Sequence, residues 1–418
     1  MKKIVDKKHI AILTYLCTVA YFASYFARSD FAAVLTAFIS EEGVSAELAG
    51  LIITGAFFSY GIGQLLSGYL GDKIPPKWIV FGGFMLTGMM NLLMPLAAGN
   101  ITRMMIIWIV NGLAHAMMWP PMTKILTNYL SATAYVRSTT TVCVGASFGT
   151  LAVYLVSAWM VAVASWKSVM FIATVIAMVV GFGWLAMMTY LEKYVEQHGQ
   201  EEKINLPESK KHTVAASLKN VRWKRAIVLI MIAIVFQGYL RDGIATWLPQ
   251  YLQDVFGIDT SGSLLATILL PLFNVVIMEV CSWLYRNVLR NETLCAAVYF
   301  GVVAVMTVLL TIFFDTHVAL SLALFIIANG AIHGINLILI CMISPHFGRY
   351  GKTSMMSGAL NFCTYIGSGT ATYTIALVFE HLGWKITIAS WTVLALLGGI
   401  CCVGAIGLWR RFRRASEE

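Results

Sequence analysis

Residues 10–39 read IAILTYLCTVAYFASYFARSDFAAVLTAFI, an apolar stretch with one arginine, Arg28, in its interior. A stretch of this length can cross a bilayer, which takes roughly 20 mostly apolar residues in a helix. Residues 226–252 repeat the arrangement around Arg241. A guanidinium at bilayer depth is costly and cannot lose its charge by releasing a proton. We therefore expect each arginine to face a wet cavity or a partner, and one in each half indicates a central site for an anion.

The whole chain has the composition of a membrane protein. Of its 418 residues, 59% are hydrophobic and only 12% are charged, whereas a soluble domain carries about 25% charged residues. Runs this long and uniformly apolar fit helices and not barrel strands. The sequence predicts an all-α membrane protein with twelve transmembrane helices in two pseudo-symmetric six-helix halves. The predicted spans are 10–39, 46–71, 79–98, 104–126, 138–163, 168–190, 226–252, 262–285, 293–314, 318–343, 354–379 and 385–409.

The basic residues are unevenly distributed, which argues against a nucleic-acid partner despite a net charge of +9. Of the 29 lysines and arginines, only Arg103, Lys167 and Lys385 fall in the predicted loops of one side. Apart from the two arginines in spans, the rest lie in the loops and tails of the other side. An excess of Lys and Arg in short loops marks the cytoplasmic side. We expect both termini in the cytoplasm and, because the loops are compact, a bacterial inner membrane.

The two halves of the chain resemble one another. Residues 111–115 (NGLAH) in the fourth span correspond to residues 329–333 (NGAIH) in the tenth. We predict an N-terminal half at 1–191, a polar cytoplasmic linker at 192–225, and a C-terminal half at 226–418 that ends in a short basic tail. Such six-plus-six repeats build transporters whose substrate site lies near the middle of the membrane.

The loop after the second span carries a motif. Residues 68–73 read GYLGDK, and a further lysine follows four residues later. This resembles the G-x-L-x-D-[RK]-x-x-x-[RK] loop signature of the major facilitator superfamily. The glycines permit close helix contact, and the aspartate can pair with bases or cap a neighbouring helix; an ordinary polar turn is the alternative. The predicted gating or structural residues are Gly68, Asp72, Lys73 and Lys77, with Glu279 of the eighth span as a candidate partner in a gate ion pair.

A second resemblance surrounds the arginines. Residues 241–252 read RDGIATWLPQYL and resemble the seventh-helix pattern R-x-G-I-x-x-W-x-P-x-Y-L of the organophosphate:phosphate antiporters, the family of the glycerol-3-phosphate and hexose-phosphate exchangers. Residues 21–28 (YFASYFAR) match its first-helix Y-x-x-x-Y-x-x-R, residues 119–121 its W-P-P, and residues 365–367 (YIG) its eleventh helix. The resemblance implies that the two arginines hold a substrate phosphoryl group, with tyrosines around it.

The spacing of these residues agrees with such a site. Tyr21, Tyr25 and Arg28 lie at i, i+4 and i+7, on one helix face, and phenol hydroxyls beside a guanidinium suit a phosphoryl group or a carboxylate. Asp30 and Asp242 project about 200° and about 100° around their helices from the arginines. We therefore do not expect self-pairing, while pairing to another helix stays open. The predicted substrate-binding residues are Arg28, Arg241, Tyr21, Tyr25, His115, Tyr365, Trp119, Gln64, Ser147, Asn274 and His333.

The chain departs from the antiporter pattern at several positions. Gln64 stands where the relatives carry a lysine, Ser147 lies near a missing histidine, and Pro271 and His115 replace a glutamate and a glutamine. His115 and His333 are intramembrane groups that can titrate near neutral pH. Each histidine therefore either packs as a polar residue or takes part in function, by contacting the substrate or by binding a proton.

These features predict a secondary active transporter. We expect it to carry an organophosphate, such as a sugar phosphate or glycerol phosphate, by alternating access with Arg28 and Arg241 as an anion clamp. The alternative is a proton-coupled symporter of an organic carboxylate such as a sugar acid. Inorganic phosphate or protons are the expected coupling ions, the lipid bilayer is the surrounding partner, and the expected state is a monomer. Two buried arginines argue against an exporter of cationic drugs.

Nothing in the sequence supports an enzyme. No metal-ligand cluster, catalytic dyad or appended soluble domain is evident, so we expect no metal and no cofactor. Residues 145–149 (GASFG) have the G-x-S-x-G form of a nucleophile elbow, but that motif requires a strand, a turn and a helix. Here it lies inside a predicted span, where the glycines indicate close packing of helices.

Overall fold

The computed structural model describes residues 2–44, 46–201, 221–258 and 260–417, and it is almost entirely helical. In that part of the chain the only strands are Lys2–Lys3 (β1) and Gln200–Glu201 (β2), which pair antiparallel. Long apolar runs form helices in lipid because a helix satisfies its backbone hydrogen bonds internally. The chain divides into two compact units, Met1–Glu201 with Phe347–Phe362, and Glu202–His346 with Cys363–Glu418.

The first unit contains long helices joined by short turns. Asp6 caps its first helix by accepting hydrogen bonds from the backbone N–H groups of Lys8 and His9. The hydrogen bond from the His9 ring lowers the pKa of the Asp6 carboxyl, so the cap is ionised at neutral pH. The helices are α1 (Lys7–Ala33), α2 (Leu35–Glu42), α3 (Ala46–Lys73), α4 (Pro76–Leu96), α5 (Ile101–Ala116), α6 (Trp119–Tyr129), α7 (Ala132–Val163) and α8 (Trp166–His198).

Two of the predicted spans are each broken into two helices. The first breaks at Val34, between α1 and α2, where the backbone leaves helical geometry. The fourth breaks before Trp119, because Pro120 and Pro121 fall in the first turn of α6. Proline has no N–H and clashes with the preceding turn, so it is tolerated at a helix start but not inside one.

The second unit contains the remaining helices. α8 continues to His198 and the next helix begins at Val221, while residues 202–220 of the predicted linker lie outside the described residues. The helices are α9 (Val221–Phe256), α10 (Thr260–Leu284), α11 (Glu292–Ile312), α12 (Val318–Asn336) and α13 (Thr353–Glu417), with π-helical turns at Tyr285–Leu289 and Leu337–Met342 and a 3-10 turn at Ser344–Tyr350. The first residues of α13, up to Phe362, belong to the first unit.

α13 is two consecutive helices. Gly383 interrupts it with φ 80° and ψ 168°, a conformation that suits glycine because other residues avoid positive φ. Eleven helical stretches in the described part of the chain are long and apolar enough to cross a membrane. The predicted span 354–379 is helical too, but it is not among the eleven. Its first part carries the polar side chains of Ser354, Ser357 and Asn361.

Glycines on α7 hold it tightly against α1. A Cβ atom at Gly149 would lie 3.1 Å from two backbone carbons of Phe22, and closer still to its carbonyl oxygen. A Cβ at Gly145 would lie 2.7 Å from the side chain of Thr18. Small residues allow such close backbone approach between membrane helices. The prediction that residues 145–149 serve helix packing is therefore confirmed, and this contact fixes the helix that carries Arg28.

Replacing Gly149 by leucine should destabilise the first unit. The added side chain has no space against the backbone of Phe22, and overpacking of this kind costs about 1–3 kcal/mol or more. The measurement is the apparent melting temperature of the purified protein in detergent, with the monodisperse fraction after gel filtration. Gly183 on α8 provides the matched control, since nothing lies within 4 Å of a Cβ there. Equal losses in Gly149→Leu and Gly183→Leu would contradict the prediction.

Candidate substrate-binding clusters

Arg28 lies among aromatic rings within the first unit. Its guanidinium carbon is 4.3 Å from the ring centroid of Tyr60, 5.4 Å from that of Tyr25 and 5.8 Å from that of Phe57. A guanidinium over an aromatic face gains about 0.5–2 kcal/mol, most where water is excluded. Tyr60 and Phe57 belong to α3 and were not predicted. The rings hold the charge at a defined position while leaving Arg28 partly exposed.

The predicted tyrosine stripe leads to this cluster. The rings of Tyr21 and Tyr25 are 4.9 Å apart in an edge-to-face arrangement. Trp119, at the start of α6, packs on Tyr21 at the same ring distance of 4.9 Å. The structure thus brings together Tyr21, Tyr25, Arg28 and Trp119, which belong to two separate motifs. We call Tyr21, Tyr25, Arg28, Phe57, Tyr60 and Trp119 the Arg28 cluster.

His115 lies beside the same part of α1 and is buried. Its Nε2 is 3.0 Å from the carbonyl oxygen of Ala27, which can only accept, so Nε2 carries hydrogen. Its Nδ1 is 3.4 Å from the hydroxyl of Ser24, which donates to it in the neutral ring. The neutral imidazole therefore satisfies both nitrogens and ties α5 to α1, within electrostatic range of Arg28.

Gln64 is a buried polar contact further along α3. Its Oε1 accepts a hydrogen bond of 2.9 Å from Asn361, which lies in the α13 segment that belongs to the first unit. Its Nε2 has no hydrogen-bond partner among the described residues. Ser147, also predicted to bind substrate, is half-buried on α7. Ser147 forms no hydrogen bond with Arg28 or Gln64 in the part of the chain that the structure describes.

The loop motif binds the start of α13. The Asp72 carboxylate accepts hydrogen bonds from the backbone N–H groups of Ser354 (3.1 Å) and Met355 (2.9 Å), which caps that helix. Lys124, which was not predicted, places its ammonium 3.9 Å from Asp72 and donates to the carbonyl of Gly71. A Cβ at Gly68 would lie 2.8 Å from the Ser354 carbonyl oxygen. The motif therefore packs and caps a helix, as one of its two interpretations expected.

The two lysines of the motif point elsewhere. Lys77 forms an ion pair with Glu192 near the end of α8. Lys73 contacts the hydroxyl of Tyr69 and lies 4.1 Å from its ring centroid. Glu279, the candidate gate residue, is exposed, and it forms no ion pair with any other residue that the structure describes. No described base lies within 4.0 Å of that carboxylate, and the role of Glu279 in a gate stays a prediction.

In the second unit, Arg241 forms an ion pair with its neighbour Asp242, and our expectation against self-pairing was wrong there. Its Nε and Nη2 each donate a hydrogen bond of 2.8 Å to a different oxygen of the carboxylate. Adjacent residues project about 100° apart, but the long arginine side chain bends around the helix to reach the short aspartate. For Arg28 the expectation is confirmed, because Asp30 forms no ion pair among the described residues.

Tyr365 lies beside Arg241, as the antiporter resemblance implied. The guanidinium carbon is 5.6 Å from the ring centroid of Tyr365. His333 on α12 is within electrostatic range of Arg241 and Asp242. The backbone of Gly238 packs directly on that of Thr364, which brings α9 and α13 together at this level. We call Arg241, Asp242, His333 and Tyr365 the Arg241 cluster.

Further buried amides lie on α9 and α12, which carry part of the Arg241 cluster, and on α10. Asn274 accepts a hydrogen bond of 3.1 Å from Asn329. Gln237, one turn before Arg241 on α9, donates to the carbonyl of Ile332 and accepts from Asn336 at 3.5 Å. Gln237 and Asn329 were not predicted, although an amide one turn from an intramembrane arginine was a usable signal. Polar groups at bilayer depth usually serve a pathway or a partner.

A further polar cluster lies at the ends of α11 and α13. Glu292 is fully buried. One oxygen accepts hydrogen bonds from Tyr285 (2.8 Å) and His346 (2.9 Å), and the other from Trp409 (2.8 Å) and Arg413 (3.1 Å). These contacts join four segments of the second unit. This cluster was not predicted, because Trp409 and Arg413 lie 117 and 121 residues from Glu292 in the chain.

Membrane-spanning helices that carry arginines, buried amides and histidines are typical of a transporter. Residues 17–372 match the Major Facilitator Superfamily, and the chain belongs to that family. The predicted fold class is therefore confirmed, and the family is one of transporters and not of enzymes. The proton:xylose symporter XylE, solved with 6-bromo-6-deoxy-D-glucose, has the same fold: the TM-score is 0.71 at 13% identity, over 94% of this chain and 95% of XylE.

Two curated relatives agree with the resemblance predicted from the motifs. A glycerol-3-phosphate transporter of Bacillus subtilis is 24% identical over 296 residues, 68% of this chain and 66% of that protein. A probable hexose phosphate transport protein of Chlamydia muridarum is 24% identical over 162 residues, 39% of this chain and 35% of that protein. The aligned stretch covers less than two thirds of either relative.

Proposed function

We propose that this protein is a secondary active transporter of a small organic anion, specifically an organophosphate such as a glycerol phosphate or sugar phosphate. The observation that carries the proposal is an arginine in a membrane helix of each unit, held beside tyrosine rings. A guanidinium is always charged and binds two oxygens of a phosphate or carboxylate at once. The similarity to glycerol-3-phosphate and hexose phosphate transporters supports a phosphoryl group as the anion.

In the proposed mechanism, Arg28 and Arg241 both bind the anionic head of the substrate. The bound anion offsets the repulsion between two like charges, which lowers the barrier to the rocking step of alternating access. Tyr25 and Tyr365, each beside one arginine, add neutral hydrogen bonds to the charged head. The excess of Lys and Arg in one set of loops supports cytoplasmic termini, and the compact loops support a bacterial inner membrane. We further propose that the protein works as a monomer.

A second candidate is proton-coupled symport of an organic carboxylate. The Asp242 carboxylate already fits the fork of Arg241 with two hydrogen bonds of 2.8 Å, so a substrate carboxylate fits the same donors. Gln64 also contributes no charge where the antiporters have lysine. A carboxylate carries one negative charge and therefore needs fewer cationic partners than a phosphate.

The test is a binding screen on the purified wild-type protein. Glycerol 3-phosphate, glucose 6-phosphate, gluconate and inorganic phosphate are compared by isothermal titration calorimetry at about pH 8, where phosphate monoesters are dianions. We expect both phosphate esters to bind at least tenfold more tightly than gluconate. Tighter binding of gluconate would replace the first proposal by the second. No binding of any of the four anions would overturn both.

Tyr60 should support anion binding through its aromatic ring, which holds Arg28 in position. Replacing it by leucine removes the nearest aromatic face under Arg28, at 4.3 Å, and should weaken binding of glycerol 3-phosphate about 3- to 30-fold, as expected from a contact of roughly 0.5–2 kcal/mol. The Tyr60→Phe variant keeps the face and should lose much less. Calorimetric affinities of the two variants and the wild type are the measurement. If the leucine and phenylalanine variants bind alike, the ring does not position Arg28.

A further inference from the structure

We propose that Asp30 is a proton-binding site in the first unit, and that an anion at Arg28 and a proton at Asp30 favour one another's binding. The inference rests on the proposed function only in naming the anion. Asp30 lies on α1, two residues after Arg28, and is 0% exposed. Its Oδ1 accepts a hydrogen bond of 2.7 Å from the backbone N–H of Phe31. Its Oδ2 is buried and has no hydrogen-bond partner among the described residues.

An ionised carboxylate does not suit this position. A buried charge is strongly disfavoured unless a counter-charge or several hydrogen bonds compensate for its lost hydration. Asp30 has one hydrogen bond and forms no ion pair with any described residue. The neutral acid needs much less compensation for its lost hydration, because its second oxygen becomes a hydroxyl donor that a single acceptor satisfies. The site therefore accommodates the protonated form better than the carboxylate.

Candidate acceptors lie on the neighbouring helices. Asn91 on α4 is fully buried and reaches the Ala27 carbonyl, one turn before Asp30, with its Nδ2 at 3.5 Å. The carbonyl oxygen of Asn91 has no partner among the described residues, and neither has that of Asn111 on α5, one turn before His115. Two amide oxygens and one carboxyl oxygen in this region thus lack hydrogen-bond donors. A proton on Asp30 turns its carboxyl group into such a donor.

Other ionisable groups near this part of α1 do not neutralise Asp30. Glu42 on α2 pairs with Lys167 on α8, and the ring nitrogens of His115 contact Ser24 and Ala27. None forms a hydrogen bond or ion pair with Asp30 in the described chain. The titratable or charged groups on the helices packed against α1 are Glu41 and Glu42 on α2, Lys77 on α4, Arg103 and His115 on α5, Tyr135, Arg137, Cys143 and Tyr154 on α7, and Lys167, Tyr190, Glu192, Lys193, Tyr194, Glu196 and His198 on α8.

Arg28 links the proton to the anion. Its positive charge is two residues from Asp30 on the same helix and favours the ionised carboxylate. An anion bound at Arg28 offsets that charge, so the carboxyl then binds a proton more readily. Linkage is reciprocal, so a proton on Asp30 strengthens anion binding by the same factor. This sign corresponds to movement of proton and anion together, and it assigns the coupling to Asp30 and not to His115.

The first experiment measures protons taken up on binding. Glycerol 3-phosphate is titrated into the purified protein at about pH 8, where the ligand itself stays a dianion, in two buffers of different ionisation heat. We expect net proton uptake by the wild type and by His115→Gln, and almost none by Asp30→Asn. Asparagine keeps an acceptor for the Phe31 N–H and mimics the neutral acid. If Asp30 had only a structural role, Asp30→Asn would therefore leave the proton uptake unchanged. No uptake by the wild type, or undiminished uptake by Asp30→Asn, would overturn the proposal.

A second experiment needs no substrate and therefore separates this proposal from the proposed function. Infrared spectra of the substrate-free wild type and of Asp30→Asn are compared across about pH 5–9, a range in which exposed carboxylates remain mostly ionised. We expect the wild type to show a protonated-carboxyl band that the variant lacks. The band should weaken as the pH rises towards about 9, because part of Asp30 must be ionised at about pH 8 for anion binding to draw a proton onto it. The two proteins should have equal melting temperatures. If glycerol 3-phosphate does not bind, the proposed function fails and this band still decides the proton site. Identical spectra would refute it.

Discussion

Substituting lysine for Arg241 is expected to weaken binding of glycerol 3-phosphate about 10- to 100-fold and to abolish transport into proteoliposomes. Lysine keeps the charge but loses the planar fork that now makes two 2.8 Å hydrogen bonds to a carboxylate. The loss of a hydrogen bond between charged groups accounts for about 1.5–3 kcal/mol. Arg28→Lys should behave likewise, because its position over the rings of Tyr25 and Tyr60 also depends on a planar group.

Calorimetric affinity and uptake of labelled substrate are the measurements for both arginine variants. Arg103→Lys is the matched control, since Arg103 is exposed at the start of α5 and should tolerate the change. Melting temperatures close to that of the wild type would show that the lysine variants fold. Wild-type affinity in both Arg28→Lys and Arg241→Lys would exclude the proposed clamp.

The second large effect is expected from Glu292→Gln. The buried carboxylate accepts hydrogen bonds from Tyr285, His346, Trp409 and Arg413, and a glutamine presents an amide N–H₂ where one accepting oxygen was. Removing one partner of a buried ion pair costs about 3–5 kcal/mol. For a unit of this size we expect the apparent melting temperature in detergent to fall by about 5–15 °C.

The control for Glu292→Gln is Glu279→Gln, an exposed acid in the same unit that forms no ion pair with a described residue. Its melting temperature should stay near that of the wild type. The double variant Glu292→Gln with Arg413→Gln should lose less stability than the sum of the single losses, because the two side chains interact directly. Additive losses would mean that Arg413 does not stabilise the buried carboxylate.

Much of the fold could be predicted because its signals are local. Long apolar runs identify the helices, and the i, i+4, i+7 spacing placed Tyr21, Tyr25 and Arg28 on one face, which the ring distances agree with. Helix breaks were missed where a single residue decides them. Val34 has an ordinary apolar side chain, so nothing in its type marked the end of α1.

The rest of the candidate site depends on which helices are neighbours. Tyr60 could not be assigned to Arg28, because a sequence does not state that α3 packs beside this part of α1. The pair of Arg241 with Asp242 was rejected on helix geometry alone, which ignores the reach of a flexible side chain. Glu292 could not be assigned to its cluster, because its partners Trp409 and Arg413 lie 117 and 121 residues away in the chain.

The Arg241–Asp242 pair also bears on kinetics. Any anion that takes both oxygen positions on the fork of Arg241 must displace the tethered Asp242 carboxylate, which stays covalently close and competes for the same donors at high effective concentration. Its return assists dissociation of the bound anion. Competition by Asp242 therefore lowers the equilibrium affinity for the anion and shortens its residence time. A carrier must release its substrate in every cycle, so a shorter residence time allows a higher turnover rate.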